Sequence, residues 1–314
     1  MKIVVTGGAG YIGSVITMLL TEAGHDVIVL DQRLQKSPAP NFVHGNIADF
    51  GRLFSKKDEI DAVIHCAAYI EAGESVRKPE KYWQNNTIGS LKLLEALRNL
   101  GTKKLIFSST AAVYGNPAKT PITEDMPKNP TNPYGMTKLA IDMAISSECV
   151  AHGLAATSLR YFNVAGSYQG QGERHNPETH IIPLALSAAE SGKEFTIFGN
   201  DYDTPDGTCV RDYIHVYDLA RAHLLALDKL EPSRHSIYNL GNGQGFSNRQ
   251  VINTVKQVTS KKLSIKLGPR RTGDPAVLIA SSDLAKKELG WQPSKPDLAT
   301  IVTDAWQFYQ IIRQ

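Results

Sequence analysis

Lys2-Ile3-Val4-Val5-Thr6-Gly7-Gly8-Ala9-Gly10-Tyr11-Ile12-Gly13 carries the strongest fold signal in the chain. Ile3-Val4-Val5 is a short β-branched run of the kind buried in a parallel sheet. It runs into glycines at every third place, Gly7, Gly10 and Gly13. The pattern beyond them predicts an amphipathic helix to Ala23, closed by Gly24 at a left-handed cap. A second strand, Asp26 to Leu30, delivers Asp31 at its end, 18 residues past Gly13. Glycines let backbone approach a pyrophosphate, whose charge meets the N–H groups of the helix N-terminus. An acid at that spacing binds a ribose diol. A glycine pattern alone is weak, but strand, glycines, helix, strand and acid in this order point to a dinucleotide. Asp31 repels a ribose 2′-phosphate, which favours NAD over NADP. Arg33 is the counter-signal, and it also reads as a solvated loop arginine.

Beyond this unit, Phe42-Val43-His44 reads as a third strand inside a Pro-interrupted stretch, Pro38 to Asn46. Asp61 to His65 is a fourth, ending at Cys66-Ala67-Ala68-Tyr69. Small residues there let a nicotinamide or its ribose lie close to backbone, or serve plain helix–strand packing. Lys81 to Leu100 reads as one long helix with Asn85 and Asn86 near its start. Lys104 to Phe107 is a fifth strand running into Ser108-Ser109-Thr110, Tyr134 to His152 a helix, and Ala155 to Tyr161 a sixth strand. This alternation predicts an α/β fold with a doubly wound parallel (Rossmann) sheet and ligands at the strands' carboxyl ends, where Gly7, Asp31, Ala67, Thr110 and Asn163 fall.

After Gly166 the alternation breaks. Polar loops are expected over 169–178 and 200–212, with a helix and the strand Glu194 to Phe198 between them. A helix over 216–230 and a strand over 237–240 could rejoin the main sheet. Ser247 and Gln250 form a capping box, a strand follows over 263–267, and Arg270 to Pro275 is a charged turn before two last helices. The expected division is a dinucleotide-binding domain of 1–166, rejoined by 210–242, and a smaller α+β substrate-binding lobe of 167–209 and 243–314.

Chemistry gathers at Thr110 and at Tyr134-Gly135-Met136-Thr137-Lys138. Tyr134 and Lys138 stand one helical turn apart, so both side chains leave the same face. An ordinary phenol titrates near about 10, and a neighbouring ammonium favours its ionised form. Thr110 supplies a hydroxyl to bridge a sugar hydroxyl and the phenol. The motif alone is common on exposed helices; the nucleotide fingerprint gives it weight.

With 314 residues and 42% hydrophobic content the chain can bury a large core. A net charge of +3 without a basic block argues against nucleic-acid binding. Cys66, Cys149 and Cys209 are spaced for neither a disulfide framework nor a zinc site, and no metal is expected. No apolar run approaches the roughly 18 residues of a membrane span, and no leader is evident, so a cytoplasmic enzyme is expected.

These motifs, with Arg160-Tyr161-Phe162-Asn163, the stretch from Phe198 to Val216 and Arg270-Arg271-Thr272-Gly273-Asp274, resemble the extended short-chain dehydrogenase/reductase family end to end. Within it the chain is similar to the UDP-sugar 4-epimerases. The resemblance implies tightly held NAD and reversible 4-epimerisation of a UDP-hexose through a 4-keto sugar. Tyr134 would take the 4-hydroxyl proton as hydride passes to NAD, and Thr110 would relay it. Lys138 would hold the nicotinamide ribose and lower the Tyr134 pKa. NAD contacts would come from Gly7, Gly10, Tyr11, Ile12 and Gly13, from Asp31, Gln32, Asn46 and Ile47, and from Cys66, Ala67, Ala68, Asn85 and Ser108. Tyr161 and Phe162 would complete the set.

The same resemblance places UDP anchors at Asn163, His180, Ile181, Thr196 and Phe198, and at Arg211, Arg271 and Asp274. Two arginines suit a diphosphate, although a salt-bridge network with nearby aspartates is the competing reading. The loop Gln32 to Lys36 is shorter than in many relatives, Ile70 replaces a lysine found in some, and Asn46 replaces an aspartate but can still meet the adenine amino group through its oxygen. Leu278 stands where a bulky tyrosine restricts the sugar pocket, which leaves room for an N-acetyl group and extends the implied substrates from UDP-glucose and UDP-galactose to UDP-GlcNAc and UDP-GalNAc. A dehydratase would need acid/base residues where Ala111 and Ala112 stand. A UDP-xylose/UDP-arabinose 4-epimerase and a silent NAD-binding regulator are the remaining alternatives. A homodimer through the helices near 81–100 and 134–152 is also implied.

Overall fold

Ile3, Val4 and Val5 are fully buried, and successive side chains enter opposite cores, as a strand covered on both faces requires. The computed structural model describes residues 1–33, 41–271 and 274–313. In chain order the strands are β1 (Lys2–Thr6), β2 (Asp26–Asp31), β3 (Asn41–His44), β4 (Ala62–His65), β5 (Lys104–Thr110), β6 (Ala155–Tyr161) and β7 (Asn163–Ala165). They continue with β8 (Phe195–Phe198), β9 (Val210–His215), β10 (His235–Leu240), β11 (Gly245–Ser247), β12 (Ile265–Gly268) and β13 (Val277–Leu278). The large sheet has the order β10-β6-β5-β4-β1-β2-β3 and is parallel throughout. Its order reverses between β1 and β4, which opens a crevice at their carboxyl ends.

Helices Tyr11–Glu22 and Val216–Asp228 cover one face; Gly89–Leu100 and Pro133–His152 cover the other. The stretch 210–242 divides. Helix Val216–Asp228 and β10 complete the large layer as anticipated, but β9 is the centre of a small sheet that it forms with β7, β11 and β13. A polar loop to Asp212 was the expectation. The strand forms because buried Asp212 accepts N–H groups from Asn242 (2.6 Å), Gly243 (3.0 Å) and Ala280 (3.0 Å). Helix Asp283–Leu289 also departs from the expected lobe: Ala285, Leu289 and Trp291 pack into the core of the large sheet.

The expected single helix over 81–100 is interrupted. Trp83–Ile88 is π-helical, and Gly89 sits where a Cβ would meet the Ile47 side chain at 2.8 Å. Such bulges re-aim side chains near functional sites. Here Asn86 turns inward, its Oδ1 accepting from Tyr69 N–H and its Nδ2 donating to Tyr69 O, both at 2.9 Å. Residues Leu34 to Lys36 of the short loop, and Thr272 and Gly273 of the charged turn, lie outside the described residues. Among the described residues no helix is long and apolar enough to cross a membrane.

Candidate active site

The crevice is lined by Gly7, Gly10, Tyr11, Ile12 and Gly13, by Asp31, Gln32, Asn46 and Ile47, and by Cys66, Ala67, Ala68, Asn85 and Tyr161. A Cβ on Gly13 would lie 2.2 Å from the Gly7 carbonyl oxygen, so this glycine is required by the packing of the turn itself. A Cβ on Gly10 would meet only that oxygen, at 3.1 Å; its missing side chain keeps the crevice open. The first bond of helix Tyr11–Glu22 runs from Ser14 N–H to Gly10 O (2.9 Å), which leaves the N–H groups of Tyr11, Ile12 and Gly13 for an anion. Asp31 is aimed by two amides: its Oδ2 accepts from Ala9 (3.1 Å) and its Oδ1 from Arg33 (2.9 Å). Each oxygen keeps a lone pair for a ribose hydroxyl. These groups fit a dinucleotide.

Three of the residues expected to contact the cofactor also have partners within the protein. The Asn46 Oδ1 caps the turn Ile47–Asp49 by accepting from Ala48 N–H at 2.9 Å, so its first lone pair is spent on the backbone. Ser108 is fully buried, with its hydroxyl 3.2 Å from Cys66 Sγ and 3.1 Å from His223 Nε2, and it faces the core rather than the crevice. Phe162 packs in a small cluster with Val113, Tyr114, Ile122 and Ala280.

Thr110 ends β5, and Tyr134 enters helix Pro133–His152, started by Pro133 and by Asn132, whose Oδ1 accepts from Gly135 N–H at 2.9 Å. The Tyr134 amide donates to Ser75 Oγ (3.1 Å), and the Thr110 side chain stands near enough to its phenol to draw the pKa down. Lys138, only 3% exposed, donates to the Ser108 carbonyl at 2.7 Å and stands 4.7 Å over the Phe107 ring. Burial pushes its ammonium down to about 8, while Cys66 and Asp142 pull it up. The side chains around the Tyr134 phenol do not by themselves produce the expected lowering. Burial pushes it up to about 12, Thr110 opposes this, and Glu71 adds to the rise. Desolvation of the phenolate outweighs the favourable neighbours.

A second cavity of about 500 Å³ is lined by Asn163, His180, Ile181, Thr196 and Phe198, and by Arg211, Arg271 and Asp274. The helix Ile181–Ser191 points its N-terminus there. Its first bond, Leu184 N–H to His180 O (3.2 Å), leaves the amides of Ile181 and Ile182 available. The Arg211 Nη1 is held by the carbonyls of Val210 (2.9 Å) and Pro275 (2.8 Å), and its Nη2 lies 3.6 Å from Asp274. The salt-bridge reading therefore holds for Arg211 with Asp274, and also for Arg270, which pairs with Asp201 at 2.7 Å. Arg271 instead lies 4.2 Å over the Phe198 ring and forms no ion pair among the described residues. Burial pushes the His180 imidazole down, but Glu178 and Glu173 outweigh it and raise it to about 9. Leu278 falls beside Arg211 in register and packs against the Phe162 cluster, outside the cavity lining.

Tyr11 lines both spaces and anchors the junction by donating to Gly166 O at 2.7 Å. Glu173 in the cavity and His175 in the crevice were not anticipated. Their signal is the spacing Glu173-x-His175-x-x-Glu178-x-His180, inside a segment that reads as polar loop up to the helix.

Residues 3–241 match the NAD dependent epimerase/dehydratase family. A curated relative, the UDP-glucose 4-epimerase of Corynebacterium glutamicum, is 52% identical over 98% of this chain and 95% of its own. Among solved structures, the UDP-glucose 4-epimerase of Brucella ovis in complex with NAD superposes with a TM-score of 0.94 at 41% identity, covering 98% of both chains. That of Bifidobacterium longum in complex with NAD+ and UDP gives 0.91 at 36% identity, covering 99% of this chain and 98% of its own. This chain therefore belongs to the NAD dependent epimerase/dehydratase family.

Proposed function

We propose that this protein interconverts UDP-glucose and UDP-galactose by reversible inversion at C4, using tightly bound NAD. The observation that carries the reading is the grouping of Thr110, at the end of β5, beside the Tyr134 phenol, with buried Lys138 one helical turn on, in a chain that also holds a dinucleotide crevice and an arginine-lined cavity. Tyr134 is the base that takes and returns the 4-hydroxyl proton, and Thr110 relays it. Lys138 holds the nicotinamide ribose, and its bond to the Ser108 carbonyl fixes its position. NAD held in the crevice would supply the hydride acceptor and donor that inversion at C4 needs. In this reading residues 1–166, with Val216–Asp228 and β10, bind NAD through the crevice residues. The amides of Ile181 and Ile182, with Arg211, Arg271 and Asn163, hold the UDP.

The partner we assign is a second copy of the chain. Met136, Met143 and Val150 recur every seven residues along helix Pro133–His152 and are 41%, 65% and 84% exposed. Ile88 and Leu91, on the neighbouring helical segment, are 41% and 45% exposed. Two such stripes suit a helical bundle across a twofold axis.

The test is incubation of the protein as purified, without added cofactor, with UDP-glucose, UDP-galactose and the corresponding N-acetylhexosamine and pentose nucleotides, followed by separation of C4 epimers. Interconversion of the hexoses is expected; none, even with NAD supplied, would refute the reading. The acceptance of UDP-GlcNAc inferred from Leu278 fails if turnover is below about a thousandth of that on UDP-glucose, more than one misfitting group usually costs.

A further inference from the structure

The segment Glu173-x-His175-x-x-Glu178-x-His180 gathers four side chains that the epimerase reading leaves largely unused. One ligand atom from each lies within 4.8 Å of every other. The Glu173 side chain is 10% exposed and that of His175 is 19% exposed. Glu173 Oε1 and His175 Nδ1 are shut off from solvent, meet only each other in an ion-pair contact, and reach no further hydrogen-bond partner. A buried pair with no other partner is poorly satisfied, and a cation taken up by both atoms in place of their mutual contact would satisfy each.

The rest of the cluster is already aimed. Glu178 Oε1 accepts from the amides of Thr179 and His180, both at 2.7 Å, and lies 2.8 Å from His180 Nδ1. Glu173 Oε2 stands 3.8 Å from that same nitrogen, and the two imidazole rings are 5.4 Å apart. Thr179 Oγ1 donates to Glu71 Oε2 at 2.7 Å, which ties the segment to the loop after β4.

We propose that Glu173, His175, Glu178 and His180 bind one zinc-like divalent cation at the junction of the crevice and the cavity. Two imidazoles and two carboxylates form a borderline set that suits zinc, whereas calcium and magnesium prefer oxygen alone. Four protein ligands make the site structural. Because His175 lines the crevice while Glu173 and His180 line the cavity, the cation fixes the wall between them. It also cancels two carboxylates that otherwise stand beside two anion-binding helix ends. Coordination through His180 Nδ1 leaves its Nε2 as a donor into the cavity.

The full-length protein is stripped with a chelator, then titrated with Zn²⁺ by calorimetry and with Co²⁺ by visible absorption. About one equivalent should bind, with intense four-coordinate cobalt bands that zinc abolishes. The double variant Glu173→Gln/His175→Gln, with unchanged circular dichroism, should lose at least about tenfold in affinity. Should it not fold, the wild type decides the matter: zinc should raise its Tm and protect His175 and His180 from diethylpyrocarbonate. No saturable zinc binding, a weak six-coordinate cobalt spectrum, or undiminished affinity in the folded double variant would overturn the site.

Discussion

Removing the cofactor should leave the Tyr134 phenol far less ionised near neutral pH. Burial pushes its phenol up to about 12 in the ligand-free protein. At pH 7 the phenolate then costs about 7 kcal/mol, of which about 2.7 kcal/mol is the protein's own displacement from an ordinary tyrosine. The neighbouring side chains do not offset this burial. A base active near neutral pH therefore requires a further positive charge, and an oxidised pyridine ring about 4 Å away is worth about 4 kcal/mol at an effective dielectric of 20. The midpoint of Tyr134 should accordingly fall by about 3 pH units on loading with NAD. Phenolate absorbance is followed against pH in the wild type and in Tyr134→Phe, with and without cofactor. Subtracting the variant isolates one of the 12 tyrosines. The phenol loses its proton as pH rises, so the loaded protein should gain the difference signal at lower pH. Equal midpoints in the two states would refute the electrostatic account. So would a Tyr134→Phe enzyme keeping more than about a hundredth of kcat, since a positioned base supplies 10²–10⁴-fold.

Gly13→Ala places a Cβ 2.2 Å from a backbone oxygen and should cost about 1–3 kcal/mol in denaturant unfolding, whereas Gly10→Ala should keep its stability yet purify with little nucleotide, measured by absorbance after heat release. Equal effects on stability would show that the two glycines do not differ as described. Asp142 and Arg160 are 3% and 2% exposed and paired at 2.9 Å, so Asp142→Ala, which strands the guanidinium, should lose about 3–5 kcal/mol. A loss below about 1 kcal/mol would contradict that pairing energy. Met143→Glu, on the exposed stripe of helix Pro133–His152, should shift the sedimenting species from dimer to monomer while the circular dichroism is retained; an unchanged mass would remove that face as the interface.

What was legible in the chain was whatever local backbone chemistry dictates. The glycines at 7, 10 and 13 and the acid at 31 depend on turn geometry and strand length, both written in consecutive residues, and they line one crevice. The parallel sheet followed from alternation alone. β9 was missed because Arg211 and Asp212 interrupt its apolar run, and the amides that satisfy Asp212 come from residues 30 to 68 positions later. The π-helical turn at Trp83–Ile88 has no composition of its own; it is made by tertiary bonds between Asn86 and Tyr69. Helical spacing puts Tyr134 and Lys138 on one face, but the burial that raises the Tyr134 phenol depends on the tertiary surroundings and is not written in that spacing.

The positions of the two anion sites bear on how a hexose can turn over between two hydride transfers. Each is built from the unpaired amides at a helix start, Tyr11 to Gly13 in one and Ile181 and Ile182 in the other, and both spaces share Tyr11. The arginines Arg211 and Arg271 belong to the second space, whereas Thr110 and Tyr134 line neither. On the proposed function, binding strength is concentrated on diphosphates, away from Thr110 and Tyr134. Interactions of that kind are equal for both faces of the sugar, so they retain the 4-keto sugar without favouring one orientation. A strong hydrogen-bonding grip on the hexose itself would stabilise one epimer's pose and raise the barrier to rotation, so the proposed function calls for few strong contacts at the reacting carbon.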